Sequence, residues 1–432
     1  MHRMRPALTD LDAADAVAEA MAHGKAMIDR CYDYAEAARA AGRRIVGILC
    51  EFTPREIILA ADAVPVCLCG GSPATIPAAE QVLPANVCPL IKSTFGYHLT
   101  GKNPFLSWAD LVVAETTCDG KKKMFELLGA TRPMYVLELP QKANDADALA
   151  RWMTEVRKFK AHLEERWDLR ITDDDLRRAI RLMNRERGLR RQLADLMVQD
   201  PPPLTGRQLV EFKSIISGLE PDLEQYAKTL RALLGGPPRE ASRPGGGSQP
   251  CQVRGPGLPG LVGRVPSRGE TPDAVHRAGG CLRVLLTGVP LVHGAERVLE
   301  LMENAGAVVV AMENCTGLKP ILDDVDEGDP DPLAAIACKY YHLPCSVMTP
   351  NTGRFRVLRE LAVKFSPHCV IELVWQACLT YDLEAVQVRR MVEEELRLPY
   401  LKITTDYSPA DSARITGRVE ALFETVRARI AA

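Results

Sequence analysis

The chain of 432 residues has no CxxC pair, no paired CxxC…CxxC and no CxxCxxC run, although it contains 13 cysteines. The missing spacings disfavour zinc ribbons and ferredoxin-type clusters. A P-loop is also missing. No apolar run approaches the ~18 residues of a membrane span. The opening MHRMRPALTDLDAADAVAEAMAHG lacks an uninterrupted apolar core and carries early acids, so it does not read as a signal peptide. An excess of either charge is lacking too: Lys+Arg 54 against Asp+Glu 56 gives a formal net charge of -2. That balance gives no support to nucleic-acid or anionic-membrane binding. The expectation is a cytoplasmic protein, where cysteines are not disulfides but metal or cluster ligands, catalytic groups or buried packing residues. Any cluster must gather its cysteines from far apart in sequence.

What is present is an alternation of strand and helix signals. In LVVAETTCDGKKKMFELL the apolar run Leu111–Ala114 ends in a turn, and a helical pattern follows. Cys118 thereby falls between a strand's carboxyl end and a helix's amino end. Ligand sites of open α/β sheets lie there, and a helix amino terminus favours a thiolate.

The same alternation divides the chain. Residues 1–42 carry an N-terminal helix, expected to run unbroken from about 9 to 42. Residues 43–150 form a first α/β domain, with strands at Ile45–Cys50, Val64–Gly71, 111–114 and Met134–Leu137. Thr53 is expected as the N-cap of the first helix there, with Pro54 at its first position. Residues 151–234 form a helical segment, with Thr172 as a cap ahead of three acids. Residues 235–281, dense in Gly, Pro and Arg, are either a genuine irregular insert or linker, or a reading-frame artefact. Residues 282–432 form a second α/β domain in the same order as the first. The fold expected is therefore α/β, with two flavodoxin-like parallel-sheet domains and a helical portion.

Cys88, Cys118, Cys315, Cys345 and Cys378 share one placement, in or just before a turn at a strand end or helix start. Cys50, at a strand end, is the sixth candidate. Two facing sheets direct such positions into one cleft, and soft thiolates select iron–sulfur clusters, zinc or copper(I).

The motifs CEFTPREIILAADAVPV, NVCPLIKS, ETTCDGKKKMFE, RVLLTGVP, ENCTGLKP, LPCS, WQAC and TDYSPADSARITGRVEALFE, taken in order, resemble the 2-hydroxyacyl-CoA dehydratase / benzoyl-CoA reductase superfamily. ETTCDGKKKMFE and ENCTGLKP are most similar to its double-cubane cluster proteins. The resemblance implies a cluster between the two domains, either an 8Fe-9S double cubane on Cys50, Cys88, Cys118, Cys315, Cys345 and Cys378 or a single 4Fe-4S cluster. It implies an ATP-hydrolysing iron–sulfur activator protein as partner, a homodimer (a heterodimer for a dehydratase) and a small-molecule or acyl-CoA substrate. Two activities follow: low-potential reduction of a small substrate, or dehydration of a 2-hydroxyacyl-CoA through a ketyl radical. A non-enzymatic, thiol-rich metal-binding scaffold is the alternative of another class.

Other polar residues have ordinary readings. Cys67 and Cys69, two apart on a strand, face one side and are expected to pack in the core. Cys31, Cys338 and Cys369 are read as packing residues as well. Lys121, Lys122 and Lys123 are read as solvated. His98, His293 and His342 are surface or core histidines before they are proton donors. Glu115, Glu313 and Glu372 suit helix capping as well as proton donation. Asp406 is expected to support the cluster edge.

Overall fold

Short aliphatic runs with few polar interruptions suit strands buried on both faces; the described residues contain eight strands, six of them of this kind and two, at sheet edges, partly exposed. The computed structural model describes residues 10–235 and 281–431. The first sheet consists of β1 (Ile45–Ile48), β2 (Val64–Cys67), β3 (Leu111–Glu115) and β4 (Met134–Leu137), in the order β2-β1-β3-β4 and all parallel. The second consists of β5 (Leu282–Gly288), β6 (Ala307–Glu313), β7 (Cys369–Trp375) and β8 (Tyr400–Thr405), in the matching order β6-β5-β7-β8, again parallel. Each sheet thus switches direction beside its first strand, where open α/β sheets form their ligand crevices. No helix of the described residues is long and apolar enough to cross a membrane.

The two halves exchange packing partners. Tyr340, Tyr341, Ile336 and Met348, from the second half, sit in one core with β1, β3 and Trp152. Trp152 Nε1 donates to the Ala337 carbonyl at 3.0 Å. Leu90, from the first half, packs into the core of the second sheet. The helical stretch is divided as well: helix Ala146–Trp167 covers the first sheet, while Leu193, Phe212 and Leu223 join a core beneath the second.

Charged groups also hold the halves together. Glu56 is fully buried, and its Oε1 accepts two hydrogen bonds of 2.9 Å from the Arg187 guanidinium. Its Oε2 accepts the Tyr340 hydroxyl at 2.8 Å. At the junction near Gly71, a Cβ would lie 2.2 Å from the His293 carbonyl oxygen, so only glycine permits this approach.

Three local expectations meet the structure differently. The N-terminal helix is two helices, Asp10–Lys25 and Met27–Ala40. Gly24, a poor helix former just before the break, lets Glu211 approach to within 2.7 Å of where a Cβ would stand. Thr53 does not cap a helix; Pro54 occupies the N-cap position and the Thr53 hydroxyl donates to the buried Glu115 carboxylate. Thr172 caps its helix as expected, in a reciprocal box with Asp175. The stretch 236–280, with Cys251, lies outside the described residues, and Cys281 at its edge is exposed.

Candidate metal centre

The carboxyl ends of the strands carry the thiols. Cys50 follows β1, Cys67 ends β2, Cys118 follows β3, Cys315 follows β6 and Cys378 follows β7. Cys88, Cys118 and Cys378 occupy the N-cap positions of helices Pro89–Thr100, Asp119–Gly129 and Leu379–Arg390. First-turn amides face each sulfur: Leu90 and Ile91 toward Cys88, Lys121 toward Cys118, Tyr381 toward Cys378. Such amides favour a thiolate over a thiol.

All six sequence candidates come together. Cys88 and Cys378 are hydrogen-bonded to each other. Cys118 faces Cys378 and Cys345. Cys345 also faces Cys315 and Cys50, which face each other. Residues from both sheets thus form one continuous array. Among the described residues, no three His, Cys, Asp or Glu side chains close around a single metal ion. A multi-iron cluster asks for something else, thiolates brought from spread positions, and an all-sulfur donor set across a cleft fits that demand.

Burial works against charge on these sulfurs. It pushes Cys315 up to about 11 and raises Cys50 and Cys118. The hydrogen bond from Cys378 holds Cys88 down and Cys378 correspondingly up. Cations oppose the burial. The Lys121 ammonium donates to the Leu49 carbonyl at 2.8 Å and faces Cys50, Cys69 and Cys118. Lys121 is therefore not the solvated lysine expected, whereas Lys122 and Lys123 are exposed and paired with Asp119 and Glu126. Lys319, fully buried, faces Cys315 and Cys345 while contacting Tyr381 Oη at 2.8 Å and Glu313 at 3.2 Å. Neither cation is evident in a sequence, because each depends on the direction taken by a long side chain.

A cavity of about 110 Å³ adjoins the array, lined among others by Cys50, Cys67, Cys69, Lys213, His293 and Cys315. Lys213 pairs with Glu51 at 2.7 Å and donates to the Cys315 carbonyl. Cys67 and Cys69 pack against the cores as expected and line this cavity as well. Their mutual hydrogen bond draws Cys67 down to about 6, helped by Lys213, and drives Cys69 up.

The remaining candidates separate. Glu115 is buried beside Cys50, and burial pushes its carboxyl up to about 7. Glu313 and Glu372 cap no helix; both bind the buried Arg354, at 3.0 and 3.1 Å. His98 lies away from the array, 3.0 Å from the Thr131 hydroxyl. Asp406 Oδ1 accepts the Ser408 amide at 2.7 Å, a local support of the turn after β8. Cys31 and Cys369 are buried packing residues.

The family model described as 2-hydroxyglutaryl-CoA dehydratase, D-component, matches residues 50–426. YjiM of Escherichia coli (strain K12), named for a dehydratase subunit, is 36% identical over 387 residues, 89% of this chain and 91% of that protein. The (R)-phenyllactyl-CoA dehydratase beta subunit of Clostridium sporogenes is 20% identical over 389 residues, 89% of this chain and 92% of that one. A benzoyl-CoA reductase subunit of Thauera aromatica is 24% identical over 196 residues, 44% of this chain and 50% of that one.

Proposed function

Because the chain belongs to the 2-hydroxyglutaryl-CoA dehydratase D-component family, an enzyme family, we propose that it is an iron–sulfur reductase of the double-cubane type. The observation that carries this reading is the array itself: six thiols, of which Cys50, Cys118, Cys315 and Cys378 follow strands of the two sheets, Cys88 starts a helix and Cys345 lies in a loop after one. Cys50, Cys88, Cys118, Cys315, Cys345 and Cys378 hold the cluster in this reading.

A low-potential iron–sulfur cluster supplies single electrons to a bound substrate. The chain's own groups prepare the place. Helix N-termini at Cys88, Cys118 and Cys378 favour the charged form of those sulfurs. Lys121, facing Cys50 and Cys118, and Lys319, facing Cys315 and Cys345, offset the accumulated negative charge. Leu49, Leu90 and Val292 narrow the access of water to the cavity, while Lys213 and Glu51 present charge to a small polar substrate. The electrons come from an ATP-hydrolysing iron–sulfur activator, so ATP binding falls to the partner and this chain requires no P-loop.

The relatives named for acyl-CoA dehydratases favour a second reading, a dehydratase subunit with one 4Fe-4S cluster. Anaerobic iron and sulfide analysis of the purified chain separates the two. About eight irons per chain support the double cubane, and about four support the dehydratase. A colourless, iron-free protein that is stable in air rejects both and leaves a thiol-rich scaffold.

A further inference from the structure

We propose that Cys67 and Cys69 form a redox-active dithiol in the cavity wall, distinct from the cluster ligands, which small disulfides oxidise to an intrachain disulfide. The pair differs from the other thiols of the site in origin. Those come from separate turns and helix starts, whereas Cys67 is the last residue of β2 and Cys69 follows two residues on. Extended residues two apart have Cα atoms about 6–7 Å from each other, at the upper edge of what a disulfide spans. Both thiols line the same cavity.

The backbone there is held in place. The Cys67 amide donates to the Ile215 carbonyl at 2.7 Å, and Val66 bridges Ile216. Cys69 Sγ lies 3.4 Å from the Leu49 carbonyl oxygen, the acceptor that Lys121 also uses. Both cysteines line the cavity with His293, whose side chain is 57% exposed, so a small molecule has a way in from solvent.

The chemistry is thiol–disulfide exchange. One cysteine sulfur attacks a disulfide R–S–S–R, forming a mixed disulfide and releasing one R–SH. The second cysteine sulfur displaces the other R–SH and closes the Cys67–Cys69 bond. The two thiol protons leave on the two R–SH molecules. Two electrons and two protons restore the dithiol, and the reductive reading above names the source of those electrons. Formation of the bond does not rest on that reading.

The test uses the full chain, purified without oxygen and treated with 2-hydroxyethyl disulfide, then alkylated, digested and mapped by mass spectrometry. The expected result is a peptide in which Cys67 and Cys69 resist alkylation and are joined to each other. In Cys69→Ser the mixed disulfide accumulates on Cys67, and iron per chain in Cys67→Ser and Cys69→Ser equals that of the parent. Alkylation of both cysteines to the same extent before and after treatment overturns the proposal. So does loss of iron in either variant, which makes the pair ligands instead. An iron-free parent that still forms the bond refutes the reductive reading and leaves the dithiol standing.

Discussion

Replacing Arg187 with Met tests the buried ion pair that fixes the helical stretch against the first sheet. Burial alone would raise the Glu56 carboxyl, yet Arg187, Lys339 and Tyr340 keep it below its ordinary 4.5. With Arg187 gone, Glu56 is left buried and must either stay charged without its main partner or take up a proton. The proton route limits the loss: from 4.5 to pH 7 is 2.5 units, at about 1.4 kcal/mol each, or roughly 3.4 kcal/mol. That lies in the ~3–5 kcal/mol range for breaking a buried ion pair from one side. Lys339, lowered to about 7 by burial and by Arg187, regains its charge in the variant and offsets part of the loss. Urea unfolding at pH 7 is expected to show a deficit of about 2–3 kcal/mol for Arg187→Met, and more when Lys339→Met is added. Carried to pH 5.5, the deficit should shrink, because protonating Glu56 then costs only about 1.4 kcal/mol. A deficit below about 1 kcal/mol at pH 7, or one independent of pH, would refute the reasoning.

Four further outcomes are expected. Cys118→Ala and Cys345→Ala lose most of their iron while Cys67→Ala keeps it; equal iron in all three by anaerobic analysis removes the ligand assignment. Lys319→Met makes the centre harder to reduce, by on the order of 1 kcal/mol or roughly 40 mV for one electron, read in a spectroscopic redox titration. Gly71→Ala must push back the His293 carbonyl and should lower stability by about 1–3 kcal/mol in thermal unfolding. The parent chain should lose stability on acidification as pH falls through the depressed Glu56 value, and retain that contribution in full above the ordinary carboxylate range; a pH series of urea midpoints checks the sign.

The strands were legible because buried parallel strands are written as aliphatic runs bounded by turns. Met134–Leu137 matches its expected limits, and Thr172 matches its capping role. The nearness of Cys50, Cys118, Cys315 and Cys378 was legible too, since they follow strand ends that share an edge, whereas Cys88 and Cys345 reach the array from a helix start and a loop. What a sequence withholds is the direction of side chains across the junction. Lys121 reads as solvated in a run of three lysines, but its stem turns inward to the Leu49 carbonyl. Glu313 and Glu372 read as caps, but Arg354, far along the chain, binds both. Cys67 and Cys69 read as core because residues two apart on a strand face one side; they do pack against the cores, but they also line a cavity that the sequence does not announce. Thr53 has the pattern of a cap, but a buried carboxylate takes its hydroxyl.

The exchange of packing partners bears on how the protein is made. Trp152 and the aliphatic face around it are sealed by Ile336, Tyr340 and Met348, which leave the ribosome almost two hundred residues later. Until then the early half presents a bare oily surface and its thiols have no opposite bank. In the proposed reading the cluster can be loaded only once both halves are present, and a truncated early fragment should be a client for chaperones rather than an independent module.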